Sequence, residues 1–355
     1  MPLPPARGMK RAHAVDAMTP SSAGADLACH GHEERLALSK RAGPEEVREA
    51  SSAPAWAPSV RPAAPPDAPT ASLLSRYRAA VEDLVQEATR RVKPGGPGAA
   101  ERLVGERLGQ PEFTAMLSMT AGGANATAAR LAAEIRQYRP SARSSASDLP
   151  TFIRILLLSQ IDSVWWSGTP AFASDADVMN SAELVDLVPL RSANLLQFQY
   201  RAQPAGLPGR ARDWAQRQAL PAIRPRTAGL SFTRSRPAVI AVVNQIASDL
   251  AAALPRAPRL WVTSTVRSVQ HQHRLRSLGY AAVLPSSHCV GYACDVEMAW
   301  FRRFDRDDML ARLLLERQEA GQLNVIDEGQ AWHLCVNPLA RRELEAAYRA
   351  LPADR

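Results

Sequence analysis

The ten residues Ser286-Ser287-His288-Cys289-Val290-Gly291-Tyr292-Ala293-Cys294-Asp295 restrict the fold of this 355-residue chain more than any other stretch. They set a histidine and an aspartate seven apart, and Trp332-His333 follows about forty residues later. Two imidazoles and a carboxylate are the donor set of a zinc site that keeps one position open. In a flat strand, residues an odd number apart point to opposite faces. His288 and Asp295 can therefore meet at one metal only if the chain bends between them. Gly291 permits that bend, as a bulge or a tight turn. Asp295, Ala293 and Gly291 then share the site face, where the small Ala293 lets metal and substrate approach, and Cys294 points into the core. Trp332 and His333 are neighbours, so His333 on the metal sends Trp332 into the packing layer.

The surroundings of this stretch read as regular structure. Pro237 suits a first helical turn, and Val239, Val242, Val243, Ile246, Leu250 and Leu254 form one face before Pro255 stops the helix. Leu260–Ser264 alternates as a strand. Ser268 caps a short helix ending at Gly279. Asp305 or Asp307 opens a helix that ends by Gly321, Leu323–Ile326 and Trp332–Val336 are strands joined by a turn at Gly329, and Pro338 opens a last helix. Helices interleaved with short strands and a closing hairpin predict an α+β fold with a small antiparallel sheet.

The first two thirds read differently. Residues 1–70 are rich in Ala, Pro, Ser and charge without lasting periodicity, which predicts a disordered tail; Cys29-His30-Gly31-His32 within it is a weak metal motif. Residues 71–235 are mainly helical. Thr70 caps a helix that Pro94-Gly95-Gly96-Pro97 should end, followed by helices over Ala99–Leu117, Ala124–Tyr138 and Leu149–Val164. Trp165-Trp166 read as core anchors. Leu196, Phe198 and Tyr200 alternate as a strand, and residues 203–235 read as an irregular connector. This region shows packing and no chemistry. Residues 236–355 carry the metal motif.

Net charge is +8, nearly all from scattered arginines rather than a basic stripe with aromatics, which argues against a nucleic-acid surface. No apolar run is long enough for a transmembrane helix, and no secretory signal is visible at the start. Cys289, Cys294 and Cys335 flank the ligand positions; each reads as a small buried hydrophobe rather than an added ligand.

The pattern Ser286-x-His288-x-x-Gly291-x-Ala293-x-Asp295 resembles the signature of zinc D-Ala-D-Ala dipeptidases and carboxypeptidases, and is closest to uncharacterised bacterial members of that clan. The group shares its fold with lysostaphin-type endopeptidases and the hedgehog signalling domain. Val262-Thr263-Ser264-Thr265-Val266-Arg267-Ser268 with Gln272 resembles the family's strand-to-helix segment bearing a substrate-side arginine, and Trp332-His333 resembles its last ligand motif. The resemblance spans about residues 236–340. It implies Zn2+ on His288, Asp295 and His333, and hydrolysis of short peptides, D-amino-acid-containing peptidoglycan stem peptides among them, by metal-activated water. It also implies a cell-envelope location, which the missing signal does not support. Arg267 would stabilise the developing oxyanion, Gln272 would orient Arg267 and face substrate, and Ser286 would bond substrate or fix its loop. Family members place a glutamate three residues before the last histidine as the base. Gln330 stands there in this chain, able to bond substrate but unable to transfer a proton. Glu328 is the replacement base this reading requires, with Gly329 free to swing it inward. Without such a base the chain would be a zinc-binding relative that holds peptide or protein ligands in the same groove.

Overall fold

A computed structural model describes residues 68–141, 144–204, 206, 209, 211, 227, 229–256, 258–303 and 307–352. The tail expected over 1–70, with its Cys-His motif, lies outside the described residues apart from its last three, as does most of the connector expected over 203–235.

Helix α1 (Ala71–Leu108) starts where the Thr70 hydroxyl accepts the Leu73 N–H at 3.2 Å, an N-cap that satisfies one orphan donor. Tyr77, Val81, Leu84 and Ala88 recur at helical spacing and are buried. The helix does not end at Pro94-Gly95-Gly96-Pro97 but continues to Leu108. Leu103, Val104 and Leu108, beyond that interruption, enter the same core as Tyr77 and Leu84. Burying three such side chains, at about 1.5–3 kcal/mol each, offsets much of what proline and glycine cost a helix.

Helices α2 (Pro111–Leu117) and α3 (Gly123–Gln137) follow. Helix α4 (Leu149–Trp165) is capped by Asp148, which accepts the Thr151 N–H at 2.8 Å. Trp166, just past its end, stacks on Tyr292 with ring centroids 3.6 Å apart and donates its indole N–H to the Val336 carbonyl. It is a core anchor, as expected.

Short elements come next: α5 (Asp175–Asn180), β1 (Val185–Asp186), α6 (Leu187–Ser192), β2 (Gln199–Tyr200) and β3 (Arg234–Ser235). The alternation at Leu196–Tyr200 yields only the two-residue β2. Then follow α7 (Pro237–Ala253), β4 (Trp261–Ser264), α8 (Val269–Ser277), β5 (Ala293–Glu297), α9 (Ala299–Arg302), α10 (Asp307–Glu319), β6 (Leu323–Asp327), β7 (Ala331–Val336) and α11 (Arg341–Arg349).

The fold is α+β. Its main sheet has the order β2-β4-β5-β7-β6, antiparallel except for the parallel β2–β4 edge. Strands β5 and β7 are buried along their whole length, so both faces of the sheet centre are covered. Helix α4 packs against β6 and α1. The Tyr77 hydroxyl donates to the Leu157 carbonyl at 2.8 Å and the Asn324 amide to the Leu158 carbonyl at 3.1 Å. One hydrophobic core runs from Leu74 to Leu344. No helix among the described residues is long and apolar enough to cross a membrane.

Candidate metal centre

Register brings the first two donors together. Asp295 on β5 pairs directly with His333 on β7, and Val296 with Trp332. Directly opposed residues share a sheet face, so Asp295 and His333 project together while Trp332 turns into the packing layer, where it is buried.

His288 arrives by a tighter route than a bent strand. Ser287–Val290 forms one turn of 3-10 helix, closed by Gly291 at φ 79° with its N–H donating to the His288 carbonyl. A side chain would be strained at that φ, and a Cβ there would lie 3.2 Å from the Arg236 Nε. The glycine thus resolves the odd spacing by lifting His288 off the sheet and over Asp295.

The three donor atoms form a nearly equilateral triangle. His288 Nε2 lies 3.1 Å from Asp295 Oδ1 and 3.2 Å from His333 Nδ1, and His333 Nδ1 lies 3.1 Å from Asp295 Oδ1. Zinc at ordinary bond lengths in a tetrahedron spaces its ligands about 3.3 Å apart. The far nitrogens are committed. His288 Nδ1–H donates to the Thr265 carbonyl at 2.6 Å, and His333 Nε2–H donates to Asp162 Oδ2 at 2.9 Å. Those bonds leave lone pairs on His288 Nε2 and His333 Nδ1, both facing the Asp295 oxygen. Three buried lone pairs at this spacing repel one another unless a cation or a proton sits among them.

The titration of the cluster expresses that demand. Burial lowers the His288 imidazole below its ordinary value, with Arg267 adding to the effect. Burial opposes charging of His333 too, but hydrogen bonds to Asp162 and Asp295 prevail and push it up to about 10. The proton so held on His333 occupies the place a metal ion would take. Burial alone would raise the Asp295 carboxyl, yet His288, Arg267 and the imidazole bonds hold it well below the usual carboxylate range. With His288 neutral, Asp295 lies between two charges, the protonated His333 at 3.1 Å and the Arg267 guanidinium at 2.7 Å. Among the described residues, His288, Asp295 and His333 are the group able to hold a metal ion. Cys289, Cys294 and Cys335 are buried free thiols; burial pushes the Cys289 thiol up to about 11, and Cys335 lies against Asp162 and Ser287.

The triangle opens into a cleft of about 950 Å³ lined by Ser286, Arg267, Gln272, Glu328 and Gln330, together with Ser144, Ser145 and Ser147 of the loop before α4 and Ser159 of α4. Arg267 donates from Nε to Ser264 Oγ at 2.9 Å and from Nη2 to Asp295. Gln272 is fully buried. Its amide donates to the Val283 carbonyl at 2.9 Å and its oxygen faces Arg267 Nη1 at 3.4 Å. Gln272 therefore holds Arg267 in place, with one amide N–H beyond the bond to Val283 and one oxygen lone pair beyond the contact to Arg267. Ser286 lies at the cleft rim, with its carbonyl closing the 3-10 turn onto the Cys289 N–H. His273 is exposed, and His271 rests against Phe232.

Gln330 is exposed, and its carbonyl accepts the Met298 N–H. Glu328 is half-buried, and Ser145 hydrogen-bonds its carboxyl. Burial first, and the charge of Asp295 second, push the Glu328 carboxyl up to about 7. Gly329 turns between the two at φ 84°, close against the Ser145 carbonyl.

The helical layer contributes one residue that lies outside every sequence motif. Asp162, on α4 and only 2% exposed, accepts from the Ser287 hydroxyl at 2.8 Å, from His333, and on its other oxygen from the Asn324 amide at 2.9 Å. Arg78 of α1 donates to Asn324 Oδ1 at 3.0 Å. Burial pushes the Arg78 guanidinium down to about 10 against the raising charge of Asp162. The sequence signal was the single acid of a predominantly apolar helix.

No family model matches the chain, and no curated protein or solved structure matches it either.

Proposed function

We propose that the chain is a zinc-dependent metallopeptidase of the D-Ala-D-Ala dipeptidase and carboxypeptidase kind, with the hedgehog-like fold of that clan, acting on short peptides such as peptidoglycan stem peptides. The observation that carries this reading is the triangle of three lone pairs at the floor of a cleft, with both far imidazole nitrogens already committed. Zinc held there by His288, Asp295 and His333 would polarise a peptide carbonyl and acidify a bound water. The chain's own groups support the remaining steps. Arg267 uses three of its N–H groups on Ser264, Gln272 and Asp295 and keeps others for an oxyanion in the cleft. Glu328, with its carboxyl near 7, would take a proton from water and pass it to the departing amine, which is worth about a hundred- to ten-thousand-fold in rate. Gln330 would bond substrate at the rim.

One observation favours a second reading. The position from which the resembling family supplies its base holds Gln330, so the cleft would bind peptide without cutting it if Glu328 stays on Ser145. The test measures zinc content and stem-peptide hydrolysis in wild type, His288→Ala, His333→Ala, Glu328→Gln and Gln330→Glu. The peptidase reading expects about one zinc per wild-type chain, lost in both histidine variants, and a large rate loss in zinc-loaded Glu328→Gln. Full zinc retention in both histidine variants would sink the metal assignment. An inert wild type with an active Gln330→Glu would establish the binding protein instead.

A further inference from the structure

A second cavity, of about 500 Å³, shares Asp162, Pro285, Ser286 and Ser287 with the cleft as a common wall. Its volume is that of a small-molecule site. The first turns of α3, the last turns of α4 and the Leu284–Val290 segment enclose it. The lining is mainly apolar, with Ala126, Trp166, Val269, Leu284 and Val290 prominent.

Two charged side chains reach this cavity, and they differ in one respect. Asp162 has both oxygens occupied by Asn324, Ser287 and His333. Arg130 has only neutral partners: Nη1 donates to the Leu284 carbonyl and Nη2 to Gln160 Oε1, each at 2.9 Å. The nearest attracting acid, Glu134, lies one turn further along α3, and both its oxygens are taken by Arg276 at 2.8 and 3.0 Å. Among the described residues Arg130 has no ion pair. A guanidinium carries five donors, so Arg130 retains N–H groups beyond the two in use. A partly buried cation is costly until a counter-charge meets it.

We propose that this cavity binds a monocarboxylate with an apolar body, its carboxylate on Arg130 and its body against Trp166 and the aliphatic wall. The chemistry fits either a free medium-chain organic acid or the carboxyl-terminal residue of a peptide with an apolar side chain. The proposal stands on Arg130 and the cavity, independently of any metal.

The test is calorimetric titration of the full chain, metal-free and zinc-loaded, with octanoate, octanol, octylamine and N-acetylphenylalanine. Saturable octanoate binding should exceed that of octanol and octylamine by about tenfold or more, the worth of a charge-assisted hydrogen bond. Arg130→Gln should erase that preference, and Ala126→Trp, which fills the cavity from an exposed helix position, should abolish binding. N-acetylphenylalanine binding tighter than octanoate identifies a peptide terminus as the source, and weaker binding identifies a free acid. The proposal is overturned if octanol matches octanoate, if octanoate does not saturate, or if Arg130→Gln leaves its affinity unchanged. Should Arg130→Gln not fold, undiminished binding by Ala126→Trp overturns it alone.

Discussion

Replacing Asp162 with asparagine tests whether the helical layer completes the metal centre. Asp162 is an acceptor at every contact: His333 Nε2–H, the Ser287 hydroxyl and the Asn324 amide all donate to it. An asparagine must turn an NH2 toward one side. Facing Asn324, it meets another amide whose oxygen is already held by Arg78. Facing His333, it meets an N–H, and relief requires moving the imidazole proton to Nδ1, the atom that would bind metal. Either way the charge is lost. Zinc together with the Asp295 carboxylate carries a net charge of +1, and that charge across one imidazole ring, on the order of 6 Å away, is worth about 2.8 kcal/mol to a carboxylate at an effective dielectric of 20. That corresponds to about a hundredfold in affinity, the upper end of the roughly 10- to 100-fold expected for a partner of a metal-bound histidine. Competition titration with a zinc chelator should show Asp162→Asn weaker than wild type by a factor in this range. Nitrogen chemical shifts of His333 in the metal-free protein should show a changed tautomer or protonation state. A folded Asp162→Asn with wild-type zinc affinity would refute the reasoning and leave Asp162 a packing residue.

Two further outcomes follow from the same geometry. In the zinc-loaded protein, kcat/KM should rise with pH through an apparent pKa at or below about 7, because Glu328 must lose its proton to act as base and its carboxyl sits near that value before metal charge lowers it; an acid limb unchanged in Glu328→Gln would remove Glu328 from that role. Gly291→Ala should cost about 1–2 kcal/mol for the left-handed backbone, read as a lower urea midpoint, and should weaken zinc binding by displacing His288 relative to Asp295. An unchanged midpoint would mean the turn relaxes freely.

Much of the site was legible because it depends on local rules. The odd spacing of His288 and Asp295 required a break at Gly291, and the glycine supplies it at φ 79°. The form of the break, a 3-10 turn rather than a bent strand, depends on the Arg236 side chain packed against it and on Phe172, whose N–H bonds the Cys289 carbonyl. Those contacts are remote in sequence. Gln272 shows the same limit. Its place beside Arg267 was implied by the family resemblance, but its second bond, to the Val283 carbonyl, is a property of the folded loop. Helix α1 passes through Pro94-Gly95-Gly96-Pro97 because both halves bury against one core, and no local reading weighs that term.

Asp162 marks the boundary of what the sequence can say. A carboxylate in the middle of Leu149–Trp165, among residues that are nearly all buried, cannot be solvated there. An unpaired buried charge costs several kcal/mol, so an acid at that position implies a partner. The one cation in the helix, Arg154, pairs with Glu82 of α1 at 3.1 Å, which places the partner of Asp162 elsewhere in the chain. His333 lies 171 positions away and Ser287 lies 125 away, distances over which spacing carries no information. The apolar helix therefore announces that a polar centre lies against it. Only the β5–β7 register and the α4–β6 contact identify that centre as the one built by His288, Asp295 and His333.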